Sequence, residues 1–161
     1  MAKIYFDAAT KGNPGRSACA VVIKEESERH VFTHDLRELD NHSAEWAAMI
    51  YALEHARELN VRNALLHTDS KLIEDSVNSG RVKNAKFKPY YDNMKILEQS
   101  FDLMFVKWVP RDKNKEANQH AQQALYKLIK LNKAQALAYA ITCCYFRSGY
   151  LFFTFLNAFC F

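Results

Sequence analysis

Lys3-Ile-Tyr-Phe-Asp-Ala-Ala-Thr-Lys-Gly-Asn-Pro-Gly-Arg-Ser-Ala-Cys-Ala-Val-Val-Ile-Lys24 opens the chain with two apolar runs around a sharply marked turn. Lys3–Asp7 reads as a strand. Thr10–Gly15 reads as a turn, because two glycines flank Asn-Pro. Ala18–Lys24, apolar and β-branched, reads as a second strand, and Arg29–Asp35 alternates as a third. The connections are short, so these strands are expected to pair as an antiparallel meander. Working outward, Asn41–Glu45 opens a helix that Ser43 is placed to cap, with Trp46, Met49, Ile50 and Leu53 as its apolar stripe. Ala64–Thr68 is a buried strand that follows a helix and is expected to run parallel to the first. Ser70–Val77 and Pro89–Gln99 read as helices, and Leu103–Val109 as a last strand stopped by Pro110. Asn114 to about Leu131 reads as a closing helix carrying Ala117, Ala121, Ala124, Leu125 and Leu128 inward. This order predicts an α/β fold: a mixed five-stranded sheet, three antiparallel strands plus two parallel ones, flanked by helices.

A chain of 161 residues can bury one real core. Its 49% hydrophobic and 25% charged content is that of a globular protein and excludes a disordered one. The net charge of +4 permits a nucleic-acid partner without demanding one. Basic residues cluster at Arg81, Lys83, Lys86 and Lys88, and again at Lys107, Arg111, Lys113 and Lys115. Alone, each cluster reads as a solvated face. Cys19, Cys143, Cys144 and Cys160 show no metal-type spacing, and Cys19 reads as a small core residue. The first residues enter a strand at once and carry no secretory pattern, which gives a cytoplasmic expectation.

Residues 1–132 read as the folded domain and 133–161 as an apolar, aromatic extension. Between Ile141 and Phe161 the only charged residue is Arg147. The stretch Tyr150–Phe161 falls short of the about 20 residues a bilayer span needs. Three readings fit this tail: a packed extension, a non-native appendage such as a read-through end, or a surface for a partner or membrane, with membrane contact the weakest of the three. No feature demands a protein partner.

Three acidic residues stand in separate settings: Asp7 closing the first strand, Glu45 on the first helix, and Asp69 closing Ala64-Leu-Leu-His-Thr-Asp69. Each has a plain explanation. A strand-end aspartate serves turns, a glutamate in a first turn complements the helix dipole, and Asp69 could cap the next helix. In a sheet of this order, however, Asp7 and Asp69 fall at the carboxyl edge, where the sites of open α/β sheets form, and Glu45 can point there. Carboxylates converging on one place repel unless divalent cations intervene. Magnesium, a hard ion with oxygen ligands, suits such a set.

The surrounding strings settle between these readings. Tyr5-Phe-Asp-Ala-Ala-Thr-Lys-Gly-Asn-Pro-Gly15, His42-Ser-Ala-Glu-Trp-Ala-Ala48, His67-Thr-Asp-Ser-Lys-Leu-Ile73 and Trp108-Val-Pro-Arg-Asp-Lys-Asn-Lys-Glu-Ala117 resemble, in order, the four signature blocks of the type 1 ribonuclease H family. The resemblance covers roughly residues 2–132. It implies the ribonuclease H fold and endonucleolytic cleavage of the RNA strand of RNA–DNA hybrids, leaving a 3′-hydroxyl and a 5′-phosphate. It further implies magnesium as cofactor, or manganese in its place. Asp7, Glu45 and Asp69 match three of the family's four acidic metal ligands. Asn41 and His42 match positions that touch the hybrid's minor groove, and Ser70 and Lys71 fall at further strand contacts. The Gly12-Asn13-Pro14-Gly15 backbone and the Asn41 amide are candidates for reading the 2′-hydroxyl that marks RNA.

The chain departs from the family pattern in two places. The fourth acidic position is Asn118, expected as a weakened fourth ligand: its amide oxygen can still bind magnesium or position a water, but it brings no charge and accepts no proton, so a second metal is expected to bind weakly and activity to fall. The usual histidine-bearing loop is replaced by the short Pro110-Arg-Asp-Lys-Asn114, in which Arg111 is a phosphate contact and no histidine occurs. Glu116 reads as a solvent-facing helix residue. The stretch Arg81–Lys88 resembles the shorter subgroup that lacks a long basic protrusion. Two functions therefore stand side by side: a metal-dependent hybrid ribonuclease with weakened activity, and a catalytically silent hybrid- or duplex-binding module.

Overall fold

The computed structural model describes residues 1–147, with side-chain surroundings through Ala138. The aromatic segment 148–161, on which the three tail readings mostly bear, lies outside the described residues. One compact unit spans Met1–Lys127, and a second begins at Leu128.

The first unit is built on a five-stranded sheet of order β3-β2-β1-β4-β5. Strand β1 (Ala2–Gly12) pairs antiparallel with β2 (Gly15–Lys24) along its whole length, from Lys3 opposite Lys24 to Gly12 opposite Gly15. Strand β3 (Arg29–Leu39) continues the meander, with a bulge at Ser17/Ala18 where Arg37 takes φ 64°. Strand β4 (Asn63–Thr68) runs parallel to β1 and β5 (Leu103–Trp108) parallel to β4. This is the ribonuclease H fold, with the predicted mixture of antiparallel and parallel strands.

All three meander strands run further than their apolar runs indicate. Asp7 does not end β1; it sits in mid-strand. The β1–β4 ladder covers only Ala2 to Tyr5, while the β1–β2 hairpin carries β1 five residues beyond Asp7. Asp7 therefore stands just past the point where β1 and β4 part.

Alternation divides the sheet into two unlike faces. Ile4 and Phe6 of β1 point the same way as Cys19, Val21 and Ile23 of β2, and all five join Trp46, Met49 and Leu53 in the main core. Helix α1 (Asn41–Glu58) supplies those last three residues. The small Ala18 and Ala20 look the other way, with Asp7, and are fully buried. Ala117, Ala121 and Leu125 of α4 (Lys115–Arg147) are buried outside the main core. Helix α2 (Lys71–Asn78) adds Ile73, and α3 (Lys88–Glu98) adds Met94 and Leu97, to the α1 side.

Some helix ends differ from expectation. Asp40, not Ser43, caps α1: its carboxylate accepts from the Ser43 amide at 3.3 Å, while Ser43 itself is buried. Helix α4 runs to Arg147, well past Leu131. Residues 132–147 contain four alanines and neither glycine nor proline, so nothing in them stops a helix. No helix among the described residues is long and apolar enough to cross a membrane.

The hairpin tip is sterically exact at one glycine. A Cβ on Gly15 would lie 2.0 Å from the Lys11 carbonyl oxygen, whereas one on Gly80 meets open space and strains only its φ of 70°. Gly15→Ala is expected to cost roughly 2–4 kcal/mol as a backbone clash, and Gly80→Ala about 1–2 kcal/mol as a left-handed residue. Urea-denaturation midpoints of the two variants test this; equal shifts would contradict it.

Candidate active site

The last rung of the β1–β4 ladder pairs Tyr5 with His67, and their rings stack at 4.4 Å. Asp7, two residues on along β1, returns to the face of Tyr5, and Asp69 lies just past the end of β4, its charge acting on Asp7. Asp7 and Asp69 therefore stand side by side at the mouth of the parallel pair. Asp7 is buried, accepting from the Ala8 amide at 2.9 Å through Oδ1 and from Asn118 Nδ2 at 2.6 Å through Oδ2. The Trp108 indole donates to the Asp69 carbonyl at 3.1 Å. Asn114, almost wholly buried, donates to the Phe6 carbonyl at 3.0 Å and to Asp69 Oδ1 at 3.5 Å.

Glu45 comes to this region from α1, on the opposite face of the sheet. Its Oε2 accepts from Ser70 Oγ at 2.6 Å and lies 3.6 Å from His42 Nδ1. Ser70 is therefore the buried link between Glu45 and the backbone next to Asp69. Among the described residues no group of three or more His, Cys, Asp or Glu side chains is spaced to hold a metal ion. The structure brings together Asp7, Asp69 and Asn118, and it leaves Glu45 engaged with Ser70 and His42. The reason is topological: α1 and the Asp7 side chain lie on different faces, so Glu45 must reach around the end of β4.

The other anticipated contacts form a second cluster at the hairpin tip. Thr10 Oγ1 donates to Asn41 Oδ1, and the Asn41 amide donates to Asn13 Oδ1 at 3.2 Å. Gly12, at φ 96°, makes the turn that carries Asn13. Gly12, Asn13, Asn41 and His42 are all exposed. Lys71 is exposed as well, but its ammonium is held within its own helix by Glu74 at 2.5 Å and Asp75 at 3.4 Å. Arg111, with Asp112, Lys115, Asn118 and Gln119, lines an open pocket of about 420 Å³. Glu116 is not simply solvated: it pairs with Lys24 at 2.6 Å and with Arg29, tying the start of α4 to the β2–β3 turn.

Burial lifts the Asp7 carboxyl from its ordinary 3.8 to about 6. The Asn118 hydrogen bond opposes this, the Asp69 charge adds to it, and the Ala8 amide and Arg111 pull it down. The donor set fits a hard divalent cation. Asp69 adds its negative charge beside Asp7, and the opposing groups are only the Asn118 N–H, the Ala8 amide and Arg111. Asp7 and Asp69 are thus the groups best placed for such an ion, while Asn114 turns an N–H toward Asp69. Asn114 is the site residue that sequence reasoning missed. It closes the Pro110–Asn114 loop, and its only signal was an amide amid charged neighbours.

The fold and the paired carboxylates define a class of hydrolytic nucleases, and sequence comparison agrees. The family model named Reverse transcriptase-like matches residues 5–124, and the chain belongs to this ribonuclease H-like family. It is 40% identical over 129 residues to EbsB of Enterococcus faecalis, covering 79% of this chain and 96% of that protein. It is 30% identical over 124 residues to ribonuclease HI of Halobacterium salinarum, covering 75% of this chain and 62% of that one. The crystal structure of RNase H1 from Halobacterium salinarum superposes with a TM-score of 0.74 at 28% identity, covering 78% of this chain and 98% of that one. LC11-RNase H1, solved in complex with an RNA/DNA hybrid, gives 0.74 at 25% identity, covering 80% and 99%.

The raised Asp7 carboxyl has a thermodynamic consequence. The folded protein keeps this proton to about pH 6, whereas the unfolded chain releases it near 3.8. Stability is therefore fullest below about 4, falls as pH rises through 6, and is level above. The loss is ~3 kcal/mol for a shift of this size. Asp7→Asn is expected to raise the melting temperature at pH 7.5 and to leave it nearly unchanged at pH 4. Equal effects at both pH values would show that Asp7 is not the strained group.

Proposed function

We propose that this chain is a ribonuclease H that hydrolyses the RNA strand of RNA–DNA hybrids. The observation that carries the reading is the Tyr5–His67 rung, which sets Asp7 and Asp69 next to each other at the carboxyl end of two parallel strands. Membership of the family and the likeness to ribonucleases H support it. So does the likeness to LC11-RNase H1, whose structure contains a hybrid.

In this reading Asp7 and Asp69 hold a divalent cation, magnesium or manganese, and Glu45 faces the same opening through Ser70. Such an ion, when bound, polarises the phosphodiester and activates water. The chain's own residues do the rest. Trp108 and Asn114 fix the Asp69 backbone and side chain, so the carboxylate is held before substrate arrives. In the same reading the exposed Asn13, Asn41 and His42 meet the hybrid's minor groove, supported by the hydrogen bonds through Thr10 and Asn13 that hold the Asn41 backbone and amide for a 2′-hydroxyl. Arg111 offers its charge to a backbone phosphate at the open pocket. Water adds across the P–O3′ bond, leaving a 3′-hydroxyl and a 5′-phosphate.

One observation favours a second reading, the silent hybrid-binding module: Asn118 replaces an acid and turns an N–H, not an oxygen, toward Asp7. Cleavage of an end-labelled hybrid across a magnesium and manganese titration separates the two, with single-stranded and duplex RNA as controls. The nuclease reading expects cutting of the hybrid alone, and Asp69→Asn lowering the rate by roughly 100-fold or more, the scale of losing one preorganised electrostatic group. Tight hybrid binding without cutting at any metal concentration would establish the binding module instead.

A further inference from the structure

Asn118 has both ends of its amide engaged. Nδ2 donates to Asp7 Oδ2 at 2.6 Å, and Oδ1 accepts from Gln122 Nε2 at 3.1 Å. Gln122 stands four residues on, one turn along the same face of α4. With Asp7 ionised, the opposite orientation would set the amide oxygen against a carboxylate oxygen at hydrogen-bond distance, two acceptors with no proton between them. Asp7 therefore fixes which end faces the carboxylate, and Gln122 accommodates it by donating to the oxygen that is left. The N–H occupies Asp7 Oδ2, and a cation drawn to that oxygen from the α4 side would have to displace it.

The remaining Asp7 oxygen already accepts from the Ala8 amide. The oxygens left toward β4 are those of Asp69, one of which accepts from Asn114 Nδ2 at 3.5 Å. We infer that this active site takes a single divalent cation on the Asp7–Asp69 side, and that the Asn118–Gln122 pair supplies by hydrogen bonding the positive partner a second cation would provide. The inference rests on the nuclease reading and makes it specific: Asn118 is not a weak ligand but a positioning donor, and Gln122 donates to its oxygen.

Counting manganese tests this without measuring turnover. The full chain is mixed with a hybrid whose RNA strand carries phosphorothioate linkages, which slow hydrolysis. Bound Mn²⁺ is counted by calorimetry and its electron paramagnetic resonance spectrum recorded, with hybrid alone subtracted. The expected result is one equivalent and an uncoupled spectrum for the wild type, then two equivalents and a spin-coupled pair for Asn118→Asp. Two equivalents or a coupled pair in the wild type would overturn the inference while leaving the nuclease reading intact. A single equivalent in a folded Asn118→Asp would overturn the role given to Asn118. No binding in the wild type, with no hybrid cleavage, would overturn both inference and nuclease reading. The wild-type count stands even if the variant does not fold.

Discussion

The ladder between β1 and β4 is only four pairs long, and the site depends on where it stops. Had β1 stayed paired with β4 as far as it does with β2, Asp7 and Asp69 would lie within a continuous ladder and not at its mouth. As it is, β1 parts from β4 after Tyr5 but continues with β2 to Gly12. The backbone around Asp7 is thus held on one side by the hairpin and open on the other. The Tyr5–His67 stack closes the last rung and sets the direction of the next two side chains. A one-residue slip of β1 would turn Asp7 to the α1 face, into a packed apolar core, and part it from Asp69.

The two faces of the sheet divide the work. The α1 side carries the large core residues, Trp46 and Phe6 among them, and accounts for most of the apolar burial. The other side has alanines beneath α4, which leaves room for polar groups from Asn114 and Asn118 to reach the strands. Burying Asp7 there opposes stability at neutral pH, and the large core on the far face offsets it. Placing strain in the site and stability behind it is a common division in enzymes. The Glu116 pairs with Lys24 and Arg29 fasten the start of α4, so that Asn114 and Asn118 approach Asp7 in one geometry.

Much of this was legible in the sequence, for identifiable reasons. Period and turn chemistry gave all five strands and the four main helices, because apolar alternation and the Gly12–Gly15 turn are local signals. The strand ends were not legible. Beyond Asp7, β1 continues through Ala-Ala-Thr-Lys, residues with no apolar pattern, and only cross-strand pairing with Cys19–Arg16 keeps them extended. Asp40 as the α1 cap was overlooked because Ser43 is an equally good capping type, and only the fold decides which of them is buried. Asn114 could not be chosen from its neighbours, since its value comes from touching Phe6 and Asp69, 108 and 45 residues away in sequence. Helix α4 ran past its expected end because its apolar stripe fades while its helix propensity does not.

Asn118 shows how one atom type can change what a site asks of its solvent. An acid there would present a third negative group on α4, and the set would need more than one cation to be stable. An amide presents a donor to Asp7 and passes its acceptor to Gln122, so the local demand for positive charge falls. The hydrogen bond is fixed in the fold and independent of ion concentration, whereas a second cation must be drawn from solution and lose water. On the proposed nuclease reading, substituting donor for acid gives up some capacity to stabilise charge on a leaving oxygen and gains a carboxylate that is held in place without metal. On the single-cation reading proposed above, the chain is expected to respond to low magnesium more gently than a member of the family with an acid at this position would, because fewer ions must assemble around Asp7 and Asp69.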